Sequence, residues 1–408
     1  MKGKTRQVTQ TPHWVSAKVK QCFKFRNGKG FSGVLKSIPD EEYCYPVYGG
    51  NGIMGYSDKY LLEEPTIIVG RVGEYCGNVF KTQEKSWVTD NAMMVYDVLL
   101  EDYDVDFWTA MLNSLSFNHY SDSTGQPKIT QGGIGAISFK YPSEKTEQTA
   151  IANILSTVDE AIASVQNSIA ATERLKKSFM QNLLTGKMKP DGTFRTPDEF
   201  YIDEKFGKVP TGWEVKRIKD FGEIQTGKTP PTDEPEVFSD KENGFMFITP
   251  GDLDVAKYIE ETERYVSEKG IRYSYVLPKG SVCEVCIGST IGKIGITTAK
   301  CCSNQQITSV IVNNEHDAEY LYYAMLSRRE HFKSVAGINA TPQINKSGYS
   351  KYRVLCPKDK LEQIAIAKGI SSVDKSINEQ DKKIKSLKRL KMSLMQNLLT
   401  GKVIMRNK

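Results

Sequence analysis

"MQNLLTGK" occupies Met180–Lys187 and is spelled again, letter for letter, at Met395–Lys402. The copies lie 215 residues apart, and that offset holds well beyond them. Walking backwards, Arg174-Leu175-Lys176 meets Arg389-Leu390-Lys391, Ile169 meets Ile384, Ile162 meets Ile377, Asp159 meets Asp374 and Gln148 meets Gln363. About half of the positions from Gln148 to Lys187 are identical to their partners. Further back Pro142 meets Pro357, Ile129 meets Ile344, Pro127 meets Pro342, and Gly73 and Gly77 meet Gly288 and Gly292. Nearer the start of each repeat the offset is 199: Trp14 meets Trp213, and Gly28-Lys29 meets Gly227-Lys228. The second repeat therefore carries 16 more residues between these landmarks. A period near 200 residues is a duplicated domain, not a solenoid.

The repeated backs read as long helices. In the second, Ile370, Ile377, Ile384 and Lys391 recur every seven residues, with Ile366, Val373, Gln380, Leu387 and Leu394 in the other seam position. The first matches with Ile151, Leu155, Val158, Ile162, Val165, Ile169, Thr172 and Phe179. An apolar stripe at a and d with polar flanks is the pattern of a coiled-coil pair. About 38 residues of helix give a rod of roughly 57 Å. Gly186 and Gly401 stand where C-cap glycines belong. The seam residues Leu155, Val158, Ile162, Ile169, Ile370, Val373, Ile377, Ile384 and Leu387 are expected to bring the two helices together antiparallel. An aspartate at Ile377 is expected to cost several kcal/mol.

The fronts read as strands between glycine turns. "TIIVGRV" (66–72) matches "SVCEVCIG" (281–288), and "NAMMVYDV" (91–98) matches "QQITSVIV" (305–312). "AEYLYYAMLSRREHF" reads as helix. The fold expected is an α/β (α+β) domain, duplicated with internal pseudo-twofold symmetry and joined by two long antiparallel helices as a coiled-coil spacer. The expected boundaries are a front domain at 1–143, a helical spacer at 144–187, a linker at 188–209, a second front at 210–358 and a second helical spacer at 359–408.

The formal charge of +6 is unevenly spread. Nine Lys/Arg precede the first acid, Asp40, and residues 361–408 hold eleven Lys/Arg against four Asp/Glu. Basic segments of this kind favour polyanionic partners. No apolar run is long enough to span a bilayer, and the start lacks the apolar core of a signal peptide. With eight cysteines in no even framework, a cytoplasmic location is expected.

Several motifs fail on their chemistry. "GEIQTGKT" (222–229) matches the P-loop pattern, but Pro230-Pro231 breaks the helix that would cradle phosphate. Cys283, Cys286, Cys301 and Cys302 could suggest zinc, yet their repeat partners are Ile68, Arg71, Ser86 and Trp87, so the fold does not require metal there. The four histidines are scattered, and no nucleophile–base or methyltransferase signature is present. No catalytic residue and no metal site is expected.

What remains are paired polar turns: "NGKGFS" with "TGKTPP", "RVGEYCGN" with "IGSTIGK", and "TGQPKITQGG" with "NATPQINKSG". Their Lys, Arg, Asn, Gln and Thr suit phosphate contact and the reading of base edges. The candidate contacts are Lys29, Asn51, Arg71, Asn78, Lys128, Thr130 and Gln131 in the first front. In the second they are Lys228, Thr229, Lys293, Gln305, Gln343, Asn345 and Lys346.

The order of these motifs resembles the specificity subunits of type I restriction–modification systems. The resemblance rests on "YPVYGGNGIMGY" (45–56), "VGRVGEYCG", "WVTDNA", "GWEVKRIKDFGEIQTGKTP" (212–230), "IGSTIGKIGI", "NQQI" (304–307), "TPQIN" and both "LMQNLLTGK"-type helix ends. It spans essentially the whole chain. It implies two target recognition domains, each reading one half of a split site in double-stranded DNA, and a helical spacer on which two modification subunits dock. Met180, Gln181, Asn182, Leu183 and Leu184, with Met395, Gln396, Asn397, Leu398 and Leu399, would then be docking residues. The resemblance also implies restriction subunits as further partners, and S-adenosylmethionine, ATP and Mg on partner subunits only. The chain itself would catalyse nothing, within a complex that methylates adenine and cleaves DNA. The alternative is a self-contained DNA methyltransferase or nuclease.

Overall fold

The computed structural model describes residues 14–122, 127–337 and 342–403. The basic start, the first residues of the turns at 124–133 and 339–348, and the last five residues lie outside these. The chain divides into two compact units, one running to Asn167 and resuming at Asp381, the other Ser168–Gln380. Each unit thus combines the front of one repeat with the beginning of its own long helix and the end of the other repeat's helix. This regroups the boundaries expected from sequence, because packing of the stripe joins segments that are remote in the chain.

The long helices run Lys145–Leu183 and Lys360–Leu398. They start three residues before the matched glutamines Gln148 and Gln363 and stop before the Thr-Gly-Lys triplets. Gly186 (φ +67°) and Gly401 (φ +70°) follow in the left-handed region. A Cβ at Gly186 would lie 2.2 Å from the Pro210 ring, and one at Gly401 would lie 3.0 Å from the Trp14 ring.

Within each unit the helical segments pack antiparallel. In the second, Lys176 pairs with Asp374 at 2.6 Å, Gln380 Nε2 donates to Thr172 Oγ1 at 3.5 Å, and Leu183 lies over Gly369. In the first, Lys391 pairs with Asp159 at 2.6 Å, and Leu394, Met395, Leu398 and Leu399 pack into the cluster that holds Ile151 and Leu155. Leu155, Val158, Ile162, Ile370 and Val373 are buried, whereas Ile169, Ile377, Ile384 and Leu387 are half-buried.

The same four strands form the centre of both fronts. In the first unit the order is Phe23–Asn27, Ala92–Val98, Ile67–Gly70, Val79–Lys81. In the second it is Gly222–Thr226, Ile307–Val312, Val282–Val285, Ile294–Thr297, with Tyr258–Ile259 added at the edge. All pairings within each set of four are antiparallel. A smaller sheet accompanies each: three strands in the first unit and four, within Phe238–Ser303, in the second. The extra length of the second repeat falls here.

The same clasp joins each front to its helix in both units. Trp14–Lys18 pairs with Ser138–Pro142, and Trp213–Arg217 with Arg353–Pro357. Trp14 Nε1 donates to Glu147 (3.2 Å) and Trp213 Nε1 to Glu362 (3.1 Å). Gln148 and Gln363, buried, donate to the carbonyls of Pro142 and Pro357 and accept from the backbone N–H of Asp104 and Asp317. Both partners of each glutamine are backbone groups, which satisfies a polar side chain inside the core.

Three expectations need correction. Residues 188–209 are not a bare linker. They form most of a hairpin, Phe200–Asp203 with Gly207–Pro210, preceded by Arg195, which pairs with Glu362 and donates to the Gly186 carbonyl at 2.7 Å. The stretch 318–332 is two helices, Ala318–Ser327 and Arg329–Val335, broken at Arg328. Leu183, Leu184, Leu398 and Leu399 are 3–5% exposed and lie in the cores of their units. They cannot themselves be presented to a partner, because burying them is what seats each helix end on its front.

The four cysteines do not converge either. Cys283 and Cys301 share one core cluster, Cys286 belongs to a second, and Cys302, on the opposite face of its strand from Cys301, belongs to a third. Burial pushes the Cys283 thiol up to about 12 and the Cys302 thiol up to about 11, so they remain neutral. No helix among the described residues is long and apolar enough to cross a membrane.

Candidate nucleic-acid interface

The polar turns gather at one end of each central sheet, and backbone hydrogen bonds hold them there. In the first unit Gly28 N–H donates to the Ala92 carbonyl, Lys29 to Val88, Arg71 to Asn91, Ile129 to Arg71 and Gly73 to Pro127, each at 2.9 Å. In the second Gly227 donates to Ile307, Lys228 to Ser303, Cys286 to Gln306, Ile344 to Cys286 and Gly288 to Pro342, at 2.7–2.9 Å. The five bonds correspond pair by pair under the repeat. They tie the Gly-Lys turn, the turn after the central strand, the loop before Ala92 or Ile307, and the turn entering a short helix. A Cβ at Gly28 would lie 2.2 Å from the Thr89 carbonyl oxygen, and one at Gly227 would lie 2.1 Å from that of Asn304. Glycine is what lets the Lys29 and Lys228 turns approach so closely.

In the first unit this end carries Lys29, Asn78, Lys128 and Gln131, all exposed, with Arg71 half-buried. Arg71 Nη1 donates to the Asp90 carbonyl at 3.3 Å, which steadies a guanidinium that still has donors to offer. Asn51 is exposed in the turn between Tyr45–Gly49 and Gly52–Ser57. In the second unit Lys228, Gln305, Gln343 and Lys346 are exposed. Thr229 is half-buried and donates to Gln305 Oε1 at 2.6 Å. Lys293 Nζ donates to the Pro250 carbonyl at 3.4 Å. Glu74 and Asp90 stand exposed in the same loops as Arg71 and Asn91, so the end is mixed in charge rather than uniformly basic.

Two candidates have a structural task. Thr130 Oγ1 accepts from Gly133 N–H (3.2 Å) and Asn345 Oδ1 from Gly348 N–H (2.8 Å), as N-caps of the helices Gln131–Gly135 and Lys346–Lys351. A cap oxygen engaged by the backbone is a poor reader of bases. Sequence reading passed over Asn91, which is exposed at the heart of this end. Its repeat partner, Gln306, adjoins Gln305, and that correspondence was the available signal.

Beneath the second unit's interface lies a buried polar pair without counterpart. Glu284, 1% exposed, and Tyr349, fully buried, occupy the positions of Val69 and Ile134. Neither Glu284 Oε2 nor Tyr349 Oη has a hydrogen-bond partner among the described residues. Burial raises the Glu284 carboxyl to about 8, so it is mostly neutral at pH 7.

Of the helix-end residues, Met180 and Gln181 line a cavity of about 540 Å³ with Leu326, Arg328 and Leu355, and Met395 lines one of about 310 Å³ with Lys391 and Ala110. Gln396 is exposed, while Asn182 and Asn397 are half-buried and donate back to the helix at Ser178 and Ser393.

Residues 12–174 and 210–389 each match the family described as type I restriction modification DNA specificity domain. The specificity subunit of the type I restriction enzyme HindI of Haemophilus influenzae is 31% identical over 200 residues, 48% of this chain and 42% of that one. That of MjaIX from Methanocaldococcus jannaschii is 30% identical over 210 residues, 50% and 47% of the two chains. The match thus spans about half the length of these curated relatives. MjaVIII of the same organism is 25% identical over 353 residues, 84% and 77% of the two chains. Among solved structures, the S subunit of a type I restriction–modification system from M. genitalium superposes with a TM-score of 0.65 at 16% identity, covering 98% of this chain and 99% of that one. At that identity the likeness is one of fold.

Proposed function

The chain belongs to the type I restriction–modification DNA specificity family, and from that premise we propose that it is the DNA-reading subunit of such a system. Each unit reads one half of a bipartite target in double-stranded DNA with the turns at the end of its central sheet. Lysines and Arg71 contact phosphates and guanine edges, and amide side chains such as Asn91, Gln131, Gln305 and Gln343 contact adenine. The observation that carries this reading is the set of five matched backbone bonds. They hold the polar turns together identically in two units whose turn residues differ. That is the arrangement one chain needs to read two unequal half-sites.

The paired helices set the separation of the half-sites. Two modification subunits dock on the pseudo-symmetric helix ends, through the side chains around Met180–Gln181 and Met395–Gln396, while the neighbouring leucines hold the ends in place. Restriction subunits complete the assembly in the cytoplasm. S-adenosylmethionine, ATP and Mg bind the partner subunits, where adenine is methylated and DNA cleaved; this chain supplies no catalytic group.

Methylome sequencing of cells expressing the chain with its modification subunit tests the proposal. The expected result is one motif of two specified halves separated by a fixed unspecified gap. A continuous motif, or methylation by the purified chain alone, would sink it.

A further inference from the structure

The segment between the repeats, 188–209, carries exposed aromatic and basic side chains, among them Phe194, Tyr201 and Lys208. Within the second unit it walls a cavity of about 520 Å³, a size suited to a small ligand. Phe194, Phe200 and Phe206 line it from the segment and its hairpin, together with Leu355. Four cations line it too, Lys187, Arg195, Lys208 and Arg328, and among the described residues no carboxylate does. Arg195 is committed to the fold through Glu362 and the Gly186 carbonyl. The other three have no ion pair among the described residues.

Arg328 is the informative one. It is half-buried, its guanidinium lies 4.6 Å over the Phe206 ring and also meets the Tyr352 side chain, and its Nε has no hydrogen-bond partner among the described residues. A partly desolvated guanidinium without a carboxylate is unfavourable unless an anion completes it. The fold does not demand arginine here. Ala318–Ser327 corresponds to Val105–Ser114, each ten residues long and each N-capped by aspartate, and the residue that follows is Arg328 in one and Leu115 in the other. Phe194, Phe200 and Phe206, beside three cations that have no ion pair among the described residues, match a flat ring that carries a negative group.

We propose that this cavity binds a nucleotide, with the base against the phenylalanines and the phosphate on Lys187, Lys208 and Arg328. The nucleotide is either free or part of a single strand. The site needs neither duplex DNA nor partner subunits, so its failure would leave the target-reading proposal untouched.

The test is calorimetric titration of the full chain, without duplex or partner, using AMP, ATP and a short single-stranded oligodeoxynucleotide, with pyrophosphate as competitor. Arg328→Leu installs the residue of the other unit, and Lys208→Glu reverses a charge on an exposed position that cannot unfold the core. Each is expected to weaken binding about tenfold or more, with the circular dichroism spectrum unchanged. Binding of AMP or ATP assigns a free nucleotide; binding of the oligonucleotide alone, lost in both variants, assigns a strand. No binding by any probe, equal affinity in wild type and Lys208→Glu, or displacement by pyrophosphate as readily as by ATP, would overturn the proposal.

Discussion

The two units share a frame and differ in what they hang on it. Sheet order, tryptophan clasp, buried glutamine and the five bonds that gather the turns are common to both. The differences sit at matched positions: Arg71 against Cys286 at the interface, Val69 and Ile134 against Glu284 and Tyr349 beneath it, and, with the helices aligned on their aspartate caps, Leu115 against Arg328 beside the helix end. Where the frame needs a side chain, both units carry the same chemistry. Where they diverge, the frame tolerates either.

The strongest test of that division is exchange of residues 1–143 for the corresponding region of a relative. One half of the methylated motif should change completely and the other not at all; a change in both halves would mean that the units do not read separately. Next in size are charges in the helix stripe. Ile370 is fully buried and Ile377 only half-buried, so Ile370→Asp should cost about 4 kcal/mol in urea unfolding and Ile377→Asp about half as much. Equal costs would mean that the stripe is uniformly packed.

Glu284 has a signature that Val69 cannot have. Its folded value of about 8 lies above the ordinary 4.5. Between those pH values the unfolded chain has released a proton that the folded chain keeps. Stability from this group therefore falls as pH rises through the window, by about 1.4 kcal/mol per unit, and levels off above pH 8. Glu284→Gln should remove that slope, so the variant gains on wild type by several kcal/mol between pH 4.5 and 8. Parallel stability curves for the two proteins would place an ionised carboxylate at Glu284 throughout.

At the interface, Arg71→Ala should weaken binding of the complete modification complex to its target by about 1–3 kcal/mol and relax one base position, whereas Cys286→Ala should leave the motif unchanged. A motif unaltered by Arg71→Ala would remove that side chain from base reading. The smallest effects belong to the caps. Thr130→Ala and Asn345→Ala should each cost about 1 kcal/mol of stability with the target sequence intact, and an altered motif would return them to the readers.

Much of this architecture was legible because its signals are local and periodic. The strands at 67–70 and 282–285 are short buried runs, apolar except for Glu284, that end at or near a glycine, and the helices carry a seven-residue stripe. The segment 188–209 misled because its polar, proline- and glycine-bearing composition is that of a linker. Its hairpin follows Arg195, whose acidic partner, Glu362, is 167 residues away.

The sequence by itself determined the duplication, the strand and helix positions, the helix-ending glycines and the polar character of the paired turns, since each depends on neighbours within a few turns of chain or on direct comparison of the two copies. Only the tertiary structure decided which polar groups remain available. It turned Thr130 and Asn345 into caps, sank Leu183 and Leu398 into the cores, enclosed Glu284 with Tyr349 and left Arg328 without a counter-charge. A side chain's partner is fixed by contacts between segments far apart in sequence, and no local pattern records which of several equivalent polar residues the fold will use.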